Sequence, residues 1–147
     1  MKTLVTLAAA AAAMVGACAA GLAQDARPYD QGPVWDFTMV LTKPGHFDDY
    51  MKFLDTTWKA EEEAMKAKGD VLDYKVFNVV DPRDGEADLV LGVEYKNMAV
   101  FDTSLDEQDA LTKKLFGSMP AASKADQDRE TIRTLKGDVM TRELILK

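Results

Sequence analysis

Apolar and polar positions alternate with period two over residues 34–42. Trp35, Phe37, Met39 and Leu41 fall on one side, and Val34, Asp36, Thr38 and Val40 on the other. That period, carried by β-branched and aromatic residues, predicts a strand. Both sides are partly apolar, which predicts cover on both. Pro44 and Gly45 end the strand, and the period then changes. Phe47, Met51, Leu54, Trp58 and Met65 recur in steps of four, three, four and seven, the single stripe of an amphipathic helix, with Tyr50 and Phe53 beside it. Asp48 and Asp49 at its start and Lys66 and Lys68 at its end complement the helix dipole. Gly69 is the expected C-cap. Glu61, Glu62 and Glu63 read as a solvated face of this helix.

Period two returns over residues 71–80 and 87–96, where Leu72, Tyr74 and Val76, then Leu89, Leu91, Val93 and Tyr95, alternate with other residues. The connection, Asp81-Pro82-Arg83-Asp84-Gly85, has turn chemistry, so the two strands are expected as an antiparallel hairpin. A second helical region opens at Asn97 and draws its apolar side from Val100, Phe101, Leu105, Leu111, Leu115 and Phe116. Gly117 to Pro120 interrupts it. A polar helix is expected over about 123–135, a stop at Gly137 and a last strand over 139–146.

The order β-α-β-β-α-β predicts an α+β, ferredoxin-like domain: a four-stranded antiparallel sheet with helices on one face. On the open face the pattern places Val34, Thr38, Val40, Val90 and Gly92, with charges from Asp36, Asp73, Lys75, Glu94 and Lys96. That mixture is too apolar for a wet surface. It predicts a sheet-to-sheet homodimer.

The first 23 residues read differently. Lys2 precedes an alanine-rich apolar run, and Gly21-Leu22-Ala23 supplies small residues at a cleavage site, so 1–23 is expected to be a signal peptide. The run is too short for a membrane span. The expected location is periplasmic or secreted. The alternative is a lipoprotein anchored through Cys18, because Val15-Gly16-Ala17-Cys18 resembles a lipobox. Residues 24–33, with Pro28, Gly32 and Pro33, are expected as a flexible tether, and 34–147 as the single domain.

Composition removes several functions. The formal net charge of −7 argues against nucleic acid and anionic lipid as partners. Cys18 is the sole cysteine, so there is no disulfide framework, and cleavage after residue 23 would leave no thiol nucleophile. With His46 the sole histidine and no calcium-loop spacing of acids, no metal is expected.

Two segments carry a family resemblance. Thr42-Lys43-Pro44-Gly45-His46-Phe47-Asp48-Asp49-Tyr50 resembles the turn and acidic-aromatic helix start that follow the first strand in the dimeric α/β-barrel superfamily. Val93 to Phe101 resembles that superfamily's third strand running into its next helix. The resemblance covers nearly the whole of 34–147 and implies a dimeric α/β barrel. It leaves function open, because the superfamily includes antibiotic-biosynthesis-type monooxygenases, heme-degrading enzymes and members without known activity. The heme-degrading branch uses an Asn on the first strand, a Trp after the third and a His on the second helix. This chain has no Asn on its first strand, Tyr95 near the end of its third and no His on its second helix, so neither heme nor another cofactor is expected.

What remains is a candidate pocket between the sheet and the first helix. Trp35, Phe37, Tyr50, Leu54, Trp58 and Tyr95 are its expected lining, suited to a small, largely apolar organic molecule. The alternative is a cofactor-independent, monooxygenase-like enzyme in which His46, the candidate catalytic residue, or a tyrosine transfers the proton.

Overall fold

A computed structural model of the protein describes residues 27–147. The expected signal peptide, Cys18 and the start of the expected tether lie outside the described residues. Strand β1 (Tyr29–Thr42) leads into helix α1 (Phe47–Phe53), a π-helical turn (Leu54–Trp58) and helix α2 (Lys59–Lys68). Strands β2 (Val71–Asn78) and β3 (Leu89–Tyr95) form the hairpin. A 3₁₀ turn (Met98–Asp102), helices α3 (Leu105–Phe116) and α4 (Met119–Arg129) and strand β4 (Arg133–Leu146) complete the chain. The sheet order is β2-β3-β1-β4, antiparallel throughout, which is the expected ferredoxin-like arrangement. Among the described residues no helix is long and apolar enough to cross a membrane.

Three boundaries depart from the sequence pattern, each for a local reason. Tyr29 to Pro33 are not tether but strand. Tyr29, Asp30 and Gln31 pair with Leu146, Ile145 and Leu144, and Gly32 and Pro33 fall at a register shift, where a residue without an N–H is tolerated. The polar helix starts earlier than expected. Ser118 caps it by accepting the Ala121 N–H, and Pro120 sits in the first turn, where proline is favoured. It ends at Arg129, because Ile132 packs on the core and its carbonyl accepts the Lys43 N–H, which starts β4 at Arg133. The first helix is not uniformly α. The Thr56 hydroxyl donates to the carbonyls of Lys52 (2.8 Å) and Phe53 (3.3 Å) within the widened turn. Gly69, with φ +84°, is the left-handed cap the pattern predicted.

The core lies between the helices and one sheet face, with Val40, Leu89 and Leu91 of the sheet against Tyr50 and Leu54. Tyr50 is 2% exposed and stacks on Phe53. Burial of each such side chain contributes roughly 1.5–3 kcal/mol. The helix-facing side of β1 is therefore Val34, Asp36, Thr38 and Val40, the reverse of the expectation. Tyr50 and Leu54 fill the space above the sheet, so β1 turns its smaller side chains inward. Its bulky ones, Trp35 and Phe37, lie on the open face beside Lys75 and Phe77. On β3 the expected alternation holds: Leu89, Leu91 and Val93 are buried; on β2 a register shift between Val71 and Asp73 buries Val71 and leaves Leu72 exposed.

Candidate functional site

Gly69 turns α2 back into β2, and the backbone there is stitched to the end of β3. The Asp70 N–H donates to the Met65 carbonyl, and the Lys96 N–H donates to the Asp70 carbonyl, each at 3.1 Å. Beyond β3, the Asn97 side chain accepts the Ala99 N–H at 2.9 Å and starts the 3₁₀ turn, which buries Val100. The Thr103 hydroxyl donates to the Val100 carbonyl (2.7 Å), and Gln108 donates to the Thr103 carbonyl (2.9 Å), which fixes α3 at the end of this turn.

These connections hold α2 and α3 apart over a cleft of about 510 Å³. Met65, Tyr95, Val100, Phe101 and Leu111 supply its apolar wall, and Lys68, Asp70 and Glu107 stand at its polar rim. Tyr95 and Phe101 meet edge to face, 4.8 Å between centroids. Lys68 is held by Asp70 (3.1 Å) and Glu107 (3.9 Å). The volume falls within the usual range of organic-ligand sites. A second cleft of about 220 Å³, between the first helical segment and β2, lies below that range.

The six predicted pocket residues do not converge. Tyr95 lines the larger cleft; Leu54 and Trp58 line the smaller, where Trp58 meets Tyr74 edge to face at 5.4 Å. Tyr50 is sealed in the core. Trp35 and Phe37 stack on each other, 5.6 Å apart, on the opposite side of the sheet. His46 lines neither cleft. It sits at the start of α1 with its side chain 43% exposed and Nδ1 3.1 Å from the Asp49 carboxylate.

The sequence pattern missed Glu62. It is 7% exposed, and its Oε2 has no hydrogen-bond partner. Burial, then the negative charges of Glu61 and Asp36, push its carboxyl up to about 7. Asp36, on the inward side of β1, is itself raised by burial and by Asp138 of β4. The Tyr95 hydroxyl is raised by burial and then by Glu62 and Asp36. Glu62 itself does not line the larger cleft. Its trace in the sequence is the seven-residue step from Trp58 to Met65: Glu62 lies four residues after Trp58 and occupies the missing rung of the apolar stripe. Among the described residues no group of three or more His, Cys, Asp or Glu side chains is placed to hold a metal ion.

No family model matches the chain, and no curated protein matches it at a significant level. Solved structures do resemble it. HapK from Hahella chejuensis is 9% identical, with 75% of this chain and 91% of that one covered and a TM-score of 0.51. A dimeric ferredoxin-like protein from an uncultured marine organism is 19% identical, with 78% and 97% covered and a TM-score of 0.46. Protein SO0527 from Shewanella oneidensis is 13% identical, with 80% and 96% covered and a TM-score of 0.48. The strand order and pairing define the ferredoxin-like fold, and at 9% identity the likeness to HapK extends to the fold alone and says nothing about chemistry.

Proposed function

We propose that the protein is an exported homodimer that binds a small, largely apolar organic molecule in the cleft between α2 and α3. The observation that carries this reading is the cleft itself: about 510 Å³, walled by Tyr95, Phe101, Val100, Leu111 and Met65 and rimmed by charged groups. Export rests on the signal sequence in residues 1–23. The dimer rests on the open sheet face, where Phe77, Val139 and Ile145 stay 45%, 46% and 50% exposed beside Trp35 and Phe37. Such a patch is characteristic of an interface.

Native mass spectrometry on protein purified from its own cell envelope tests the whole reading. Twice the mature mass with a reproducible small-molecule increment is the expected result, and Leu111→Trp, which fills the cleft, is expected to remove the increment. A monomer overturns the dimer. An increment that survives in Leu111→Trp overturns the assignment of the cleft.

A further inference from the structure

Lys68 of α2 and Glu107 of α3 form, among the described residues, the one ion pair that joins these two helices, and both line the cleft. Their charged atoms stand 3.9 Å apart, beyond hydrogen-bond length, and the side chains are 52% and 62% exposed. A pair of that kind contributes little and is readily split. Asp70 beside them is already satisfied. Its carboxylate, only 13% exposed, takes the ammonium of Lys68 at 3.1 Å and that of Lys96 at 3.6 Å. The neutral polar side chains of the lining are committed to their own segment. The Thr103 hydroxyl donates to the Val100 carbonyl, the Gln108 amide to the Thr103 carbonyl and the Thr112 hydroxyl to the Gln108 carbonyl. Polar recognition in the cleft therefore falls to one ammonium, Lys68, and one carboxylate, Glu107.

From this arrangement we infer that the cleft takes a zwitterion: an ammonium and a carboxylate side by side on an apolar body, the chemistry of a free hydrophobic α-amino acid. The inference deepens the small-molecule reading above and rests on it. The ligand's carboxylate meets the Lys68 ammonium, and its ammonium meets the Glu107 carboxylate. One loose pair is thus replaced by two, and each charge keeps a partner. The Tyr95–Phe101 pair in the wall receives an aromatic body, with Met65 and Leu111 beside it. A ligand with a carboxylate alone would bring a third negative charge to Asp70 and Glu107. One with an ammonium alone would draw Glu107 away and set its charge against Lys68. A neutral ligand leaves the rim pair in place and gains the apolar contacts only.

The test is ligand-observed NMR at low salt and about pH 7, where amines and carboxylates are both charged. Four probes share a phenyl body: L-phenylalanine, 3-phenylpropionate, 2-phenylethylamine and 2-phenylethanol. Phenylalanine is expected to bind about fivefold more tightly than either singly charged probe. Glu107→Gln, nearly isosteric, is expected to bring phenylalanine down to the level of phenylpropionate. Lys68→Met is expected to bring it down to the level of phenylethylamine. Both positions are exposed, so circular dichroism should show each variant folded. Equal binding of phenylalanine and the singly charged probes, or a preference that survives both substitutions, overturns the zwitterion. Binding of 2-phenylethanol in that event leaves the small-molecule reading standing. Absence of binding by all four probes at millimolar concentration overturns the zwitterion and the small-molecule reading together.

Discussion

Phe37 lies across Gly92, its partner on β3, so closely that a Cβ at residue 92 would stand 3.0 Å from the ring and 3.3 Å from the ring of Phe77. The Gly92 backbone lies outside the left-handed region, so crowding rather than conformation requires the glycine. Gly92→Ala would force both aromatic rings to shift on the open face. The expected loss is about 1–2 kcal/mol of stability, read as a lower urea midpoint. An unchanged midpoint would mean that Phe37 turns aside freely.

Glu62 sets a pH dependence whose sign follows from its burial. In the unfolded chain its carboxyl ionises near 4.5; in the folded protein it ionises at about 7. Below the lower value both states keep the proton, and there is no penalty. Between the two values the unfolded chain releases its proton first, so stability falls as pH rises. Above the upper value the loss is complete, roughly 3 kcal/mol. Asp36 and Glu61 are shifted in the same direction and reinforce the trend. Glu62→Gln is expected to match the parent near pH 4 and to exceed it by roughly that amount at pH 8 in urea titrations.

Asp88 ties the loop before β3 to the end of β1. Its carboxylate accepts the Thr42 N–H at 3.0 Å and also the Thr42 hydroxyl, and Thr42 is buried. Asp88→Ala leaves both donors without their acceptor. The expected loss is about 2–3 kcal/mol in chemical denaturation. Thr42→Val, which removes one donor along with its need for a partner, is expected to lose less.

Phe77 projects from β2 onto the open sheet face, 45% exposed. Phe77→Lys places a charge there twice in the proposed two-fold dimer. Each lost aromatic contact is worth about 1.5–3 kcal/mol, so dissociation should strengthen by a hundredfold or more. Analytical ultracentrifugation should then show a folded monomer. A dimer of unchanged affinity would place the interface elsewhere.

The order of strands and helices was legible from period alone, because each element buries one side and the alternation marks it. The facing of β1 was not. Val34 and Val40 compete with Trp35 and Phe37 for the inside, and the outcome depends on the volume that Tyr50 and Leu54 claim above the sheet. That reversal also scattered the predicted pocket, since Trp35 and Phe37 left it together. Tyr95 falls on the helix side of β3 with Leu89, Leu91 and Val93, as the alternation predicted, and there lines the larger cleft. Val100, Phe101 and Leu111 were visible as an apolar helix side but carried no mark of a cleft, which arises from how the 3₁₀ turn holds α3. Glu62 was hidden by its two acidic neighbours: a run of three glutamates looks solvated, and only the helical phase singles out its middle member.

The long pairing of β1 with β4 brings the two ends of the described chain together. The Lys147 N–H donates to the Pro28 carbonyl at 3.0 Å, and its ammonium meets Asp30 at 2.9 Å. A tension applied between residues 28 and 147 would therefore pull across the ladder rather than along it. The hydrogen bonds would open one pair at a time, beginning at Tyr29 and Leu146, as in a zip drawn from its free end. A force probe attached at these two points should record low resistance, whereas one attached at Thr42 and Leu146 should load the same strands in shear and meet much more.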